Sequence, residues 1–103
     1  MIVLKIGGDI LERGLGSKLS ADIKRVLEAD KLVIVHGGGD EVTKVAEKLG
    51  KKQIFVFSPG GIKSRYTDRE TVEIYAMVMA GKINKEIVTF LLSEDIPALG
   101  LSG

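Results

Sequence analysis

The stretch "VIVHGGGDEV" (33–42) runs from an apolar, β-branched segment into one histidine and three consecutive glycines. Holding a glycine in a rigid backbone costs roughly 0.5–1 kcal/mol relative to alanine, so three in a row serve a geometry that side chains would obstruct. A second apolar segment, "VLKIGGD" (3–9), ends in the same way. Bare turns between a strand and a helix let peptide N–H groups converge on a phosphate or carboxylate, and the helix dipole adds to the attraction. Two such turns point to a fold in which strands alternate with helices and ligands meet the carboxyl ends of the strands.

The rest of the chain fits that alternation. "IVLKIG" (2–7) reads as a strand covered on both faces. Leu19, Ile23, Val26 and Leu27 recur at helical spacing and predict a helix over 17–29, after a polar connection containing glycine. "KLVIVH" is the second strand. Asp40 is placed to cap a helix with the stripe Val42, Val45, Ala46 and Leu49, which Gly50 stops. "QIFVF" predicts a third strand and "SPGGIKSRY" (58–66) a loop. Thr67 and Glu70 have the capping-box spacing and open a long helix whose stripe is Val72, Tyr75, Ala76 and Met79. Gly81 is expected to end or kink that helix, and Asn84 to begin or kink the next one, over about 84–94. "ALGL", after Pro97, predicts a last strand. The order βαβαβααβ defines an α/β fold with a mainly parallel sheet. A strand running into "LSG" is how a further βα unit would begin, so the chain reads as truncated.

Composition narrows the classes. In 103 residues, 45% hydrophobic and 28% charged content suit one compact core with a soluble surface. With no cysteine there is no disulfide framework, zinc-thiolate site or thiol nucleophile, which fits a reducing, cytoplasmic setting. The apolar runs are short and broken by charge, so neither a membrane span nor a signal peptide is expected. A net charge of +1 argues against bulk electrostatic binding of nucleic acid. The charge is uneven, however: Lys51, Lys52, Lys63, Arg65 and Arg69 face only Asp68 between residues 51 and 69. An acidic partner could dock there.

Common nucleotide signatures are missing. No G-x-G-x-x-G opens a helix, and "GLGSK" (14–18) has serine where the P-loop lysine belongs. What remains is Lys5, two residues before a Gly-Gly turn and inside an apolar strand, where a buried ammonium would need an anionic partner.

"VLKIGGD", "VIVHGGGDE", "SRYTDRETVEIYAMVMAGKINKEIV" and "ALGLSG" together resemble the N-terminal part of the amino acid kinase family, in its acetylglutamate kinase branch, over all 103 residues. Within that branch, "SPGGIKSRYTD" is similar to the loop of kinases acting on aminoadipate or glutamate tethered to a small acidic carrier protein. The resemblance implies a three-layer α/β sandwich, of which residues 1–103 are the acceptor-binding part and from which the C-terminal ATP-binding part is absent. It implies phosphoryl transfer from ATP, accompanied by Mg²⁺, to a side-chain carboxylate. The acceptor is already an anion at neutral pH, so no general base is required.

By the same resemblance, Lys5 would neutralise the transferring phosphoryl group as the catalytic residue, and Gly7 and Gly8 would hold the donor phosphates. Gly38 and Gly39 would meet the acceptor and the transferring group, and Arg65 would bind the acceptor's main-chain carboxylate. No metal ligand set belongs to these residues. Residues 51–69 would receive the carrier protein, and the helix around Met77 and Met79 would build a core or a homodimer face. Arg69 reads as a salt-bridge former, Tyr66 and Ser64 as packing beside the acceptor, His36 as a hydrogen-bonded structural post, and Asp9 and Asp40 as turn or capping residues.

Three other readings share these residues. An N-acetylglutamate kinase of arginine biosynthesis would use the same turns on a free acceptor. A dinucleotide enzyme would use glycine-rich strand ends but lacks the fingerprint. A non-catalytic half domain would keep only the binding of an anionic metabolite or carrier.

Overall fold

The computed structural model describes residues 1–103. β1 (Ile2–Ile6) and β2 (Leu32–His36) pair in parallel, with Ile2 opposite Leu32 and Ile6 opposite His36. Because successive side chains alternate, one face of this pair presents Leu4, Ile6, Leu32 and Ile34 to the helices. The other face presents Val3, Lys5, Val33 and Val35 and is open, with Val3 63% exposed. The apolar strand pattern predicted cover on both faces; nothing among these residues covers the second.

Helix α1 (Gly8–Arg13) starts directly from the first glycine turn, where a polar connection was expected. Helix α2 (Ser17–Ala29) has the predicted bounds and buries Ile23 and Ser20. Helix α3 (Gly39–Lys48) buries Val42 and Ala46. Its N-cap is Gly38, so Asp40 lies inside the first turn and favours the helix through the dipole rather than as a cap.

β3 (Phe55–Phe57) and β4 (Lys63–Arg65) form an antiparallel hairpin, separate from the parallel pair. The loop reading of 58–66 is therefore corrected at its second half, and "QIFVF" does not join a parallel sheet. "KSR" carries no β-branched signal. Its strand form comes from the cross-strand partner, since Lys63 and Arg65 both lie over the Phe55 ring, 4.2 and 4.8 Å from its centroid.

One continuous helical rod follows: α4 (Arg69–Ala76), a π-helical segment (Met77–Ile83) and α5 (Asn84–Ser93). Asp68, not Thr67, is the N-cap, accepting from the Thr71 amide at 2.8 Å. The buried stripe is Thr71, Ile74 and Val78, next to the expected Val72, Tyr75 and Met79 stripe, of which Val72 and Tyr75 are exposed. Gly81 lies inside the π-helical segment and does not end the rod, whereas Asn84 opens α5, as its place in the sequence predicted. The core runs Ile74, Val78, Ile83, Ile87, Leu91, steps of four residues broken by one step of five. Five is the hydrogen-bonding step of a π turn, which brings Ile83 into the core where α-helical winding would have placed Lys82. Residues 96–103 form no strand, so the expected "ALGL" strand is corrected as well. The fold is α/β, built from two two-stranded sheets and helices. No helix is long and apolar enough to cross a membrane.

Asp68 ties the hairpin's base to the rod. Its carboxylate accepts from Lys51 Nζ at 2.7 Å and from the Thr71 amide, and these bonds hold its pKa down at about 2, from the ordinary 3.8. A depressed carboxylate stabilises the fold above its unfolded pKa, and that contribution is lost as pH falls from about 4 toward 2. Acid unfolding of Asp68→Asn, followed by circular dichroism, is expected to show a flatter dependence on pH across that window than the parent chain.

Candidate active site

The parallel pairing puts both glycine turns on one rim. β1 ends at Ile6 and β2 at His36, opposite each other, and the Gly37 amide donates back to the Ile6 carbonyl at 3.1 Å. From this rim α1 leaves with Gly7 as its N-cap and α3 with Gly38 as its N-cap. Two helix starts therefore stand side by side, close enough that a Cβ on Gly8 would lie 4.0 Å from Asp40 Oδ2. The first-turn amides of each helix have no intrahelical acceptor, which leaves a double row of N–H groups at the rim.

Lys5 projects from the open sheet face beside this rim. A Cβ on Gly37 would lie 3.6 Å from Lys5 Nζ, so the ammonium hangs against the triple glycine. Lys5 is exposed and pairs with no carboxylate, which corrects the expectation of a buried ammonium: the face that would bury it is open to water.

Gly38 is buried, with φ 141°, a conformation L side chains avoid. A Cβ there would run into Ile83 Cδ1. Gly39 lies against Arg65, whose Nη2 donates to the Gly39 carbonyl at 2.8 Å. Arg65 Nη1 donates to Gln53 Oε1 at 2.6 Å and to Thr43 Oγ1 at 3.0 Å. Two of the five guanidinium donors thus hold β4 to the start of α3, a third is spent on Gln53 ahead of β3, and two are left. Neither Gln53 nor Thr43 stood out in the sequence, since ordinary polar residues give no signal until the hairpin brings them to Arg65.

A cavity of about 390 Å³ flanks the rim, lined in part by Gly8, Gly38, Glu12, Asp40, Glu41 and Glu86. Its lysines are already paired, Lys44 with Glu12 at 2.7 Å and Lys82 with Glu41 at 3.1 Å. Glu12 raises the Lys44 pKa, and Glu86 together with Glu41 raises that of Lys82, so the cations stay charged and occupied. An anion fits the open rim under Lys5 better than this acidic cavity. No group of three or more His, Cys, Asp and Glu side chains is arranged to hold a metal ion.

The basic stretch 51–69 is less charged than its sequence. Lys51 is neutralised by Asp68 and, at 3.6 Å, by Glu70, while Arg69 bonds Glu73. Lys52, ahead of the hairpin, and Lys63, in β4, are the exposed cations left unpaired, and the hairpin and its flank also expose Val56, Phe57, Ile62 and Tyr66.

These features belong to an α/β protein, and the sequence pattern of the amino acid kinase family matches residues 1–103: the chain belongs to that family. It is 46% identical over 103 residues to the LysW-aminoadipate/LysW-glutamate kinase of Saccharolobus solfataricus and 44% identical to that of Metallosphaera sedula. It is 56% identical to a protein of Nitrosopumilus maritimus that is provisionally given the same name. In each case the match covers all of this chain and 38% of the relative's length.

Gly38→Ala combines a positive φ with a blocked Cβ, and is expected to destabilise the chain by at least about 1–3 kcal/mol, read as a lower urea midpoint. Gly37→Ala meets only an ordinary 3.6 Å contact and should unfold close to the parent midpoint.

Proposed function

We propose that these residues are the acceptor-binding part of a kinase that transfers the γ-phosphoryl group of ATP to the side-chain carboxylate of carrier-linked aminoadipate or glutamate, giving an acyl phosphate for lysine or arginine biosynthesis. The observation that carries this reading is the shared rim, where two rows of bare amides lie beside an unpaired ammonium. ATP and an ionised acceptor repel each other, and catalysis consists of aligning them and offsetting their charge. Lys5 offsets charge on the transferring phosphoryl oxygens. The amides of Gly7 and Gly8 hold donor phosphates, and those of Gly38 and Gly39 meet the acceptor and the group in transit. Arg65 turns its two remaining donors to the acceptor's main-chain carboxylate. Mg²⁺ would arrive on the nucleotide phosphates and shield their charge.

In this reading the open face of the β1–β2 pair becomes one side of a larger parallel sheet in a three-layer sandwich, with the ATP-binding part lying outside residues 1–103. The names of the relatives support a carrier-linked acceptor. The hairpin, with Lys52, Lys63 and an exposed apolar strip, offers a small acidic carrier both charge and contact area. The outward side chains Val72, Tyr75 and Met77 would serve as a homodimer face, and a cytoplasmic location suits the pathway.

Two measurements test this. In the full-length protein, ATP-dependent hydroxamate formation from carrier-linked glutamate or aminoadipate is expected, and Lys5→Met should lower it by about 10²- to 10³-fold, the loss typical of one electrostatic donor. No ATP-dependent product from either acceptor would overturn the proposal. Carrier docking on the hairpin should weaken steeply with added salt and with Lys52→Ala/Lys63→Ala, whereas free N-acetylglutamate in an enclosed pocket should respond little. A salt-insensitive reaction that prefers the free acceptor would favour the N-acetylglutamate kinase.

A further inference from the structure

We infer that Lys82, Ile83 and Asn84 form a clasp that positions the triple-glycine turn, and that Asn84 within it holds His36 as the Nδ1–H tautomer. Three consecutive residues grip three points across the turn: the end of β2, Gly38 and the first turn of α3. Lys82 Nζ pairs with Glu41 in the first turn of α3 at 3.1 Å, braced by Glu86 at 2.7 Å. Ile83, buried, packs on the bare Cα of Gly38. Asn84, also buried, brings its Nδ2 to His36 Nε2 at 3.3 Å.

Consecutive residues of an α-helix point about 100° apart, so three in a row do not readily serve one surface. The π segment that ends at Ile83 widens the turn and narrows that angle. It also adds the residue that puts Ile83, rather than Lys82, against the turn. The five-residue step from Val78 to Ile83 and the grip on residues 36–41 are therefore two consequences of the same winding.

The tautomer follows from groups that have only one role. The Gly37 carbonyl can only accept, and it lies 3.0 Å from His36 Nδ1, so Nδ1 carries the proton. The Leu101 carbonyl can only accept, 3.3 Å from Asn84 Nδ2, and the Lys85 ammonium can only donate, 2.8 Å from Asn84 Oδ1. Those two neighbours fix which end of the Asn84 amide is nitrogen, and that nitrogen then donates to a bare His36 Nε2. Through Nδ1–H the imidazole fixes the Gly37 carbonyl within the turn. His36 and Asn84 are thus positioning residues. The inference rests on the kinase reading only in supplying the turn with a ligand to receive.

His36 is the only histidine among residues 1–103, so a long-range ¹⁵N–¹H correlation spectrum of these 103 residues, uniformly labelled, reports its tautomer without assignment. In mildly alkaline solution, the expected result is one species with Nδ1 protonated and Nε2 bare. Asn84→Ala should replace it with an exchanging mixture and shift the Gly37, Gly38 and Gly39 amides. Ile83→Val should shift the Gly38 amide and leave the tautomer alone. A dominant Nε2–H species in the parent chain, or a tautomer unchanged by Asn84→Ala, overturns the inference. If Asn84→Ala does not fold, the parent spectrum alone decides. Turnover is not part of the readout, so failure of the clasp and failure of the phosphotransfer reading are separately visible.

Discussion

The contact of Ile83 with the unsubstituted Cα of Gly38 is the junction on which the arrangement depends. It brings the long rod against the end of β2, and the core residues Val42 and Ile87 close around it. A side chain at Gly38 would push the rod away and separate the turn from Asn84 and Lys82 together. Fully burying an isoleucine stabilises a fold by about 1.5–3 kcal/mol, which works against the poorer winding of the π-helical segment. The local irregularity of the rod is therefore stabilised by the packing it makes possible.

Electrostatics at the rim depend on what covers it. Lys5 stands in water, where two unit charges 4 Å apart attract by only about 1 kcal/mol; at an effective dielectric of 20 the same pair is worth about 4 kcal/mol. A lysine on the open face is thus a weak anion ligand that becomes a strong one when the face is closed. Arg65 follows a different logic. Its guanidinium is already braced by Gln53, Thr43 and the Gly39 carbonyl, so its remaining donors are held in place before any ligand arrives. A rigid fork of this kind loses little freedom on binding.

The hairpin and the rod are linked through Lys51, Asp68 and Thr71, a bonded chain that ties the base of β3 and β4 to the start of α4. Part of the positive charge that looks available in residues 51–69 is spent there. The charge left for a partner sits toward the hairpin's own strands, beside its exposed aromatic and aliphatic side chains.

Periodicity alone placed both strands of the parallel pair, helix α2 within its observed bounds, and the glycine turns that begin α1 and α3, because a buried stripe and a bare turn each leave a local mark in the residue order. The step of five from Val78 to Ile83 was also written there, but it becomes legible only once Gly38 is known to receive Ile83. The strand character of "KSR", the partners of Arg65, the tautomer of His36 and the exposure of Lys5 carry no local mark. Each is decided by a group distant in the chain, the Phe55 ring, the start of α3, the Asn84 amide or an absent cover. Short-range spacing determines which residues can turn or coil, whereas which hydrogen bond a polar atom makes is settled by what the folded chain brings within about 3 Å of it.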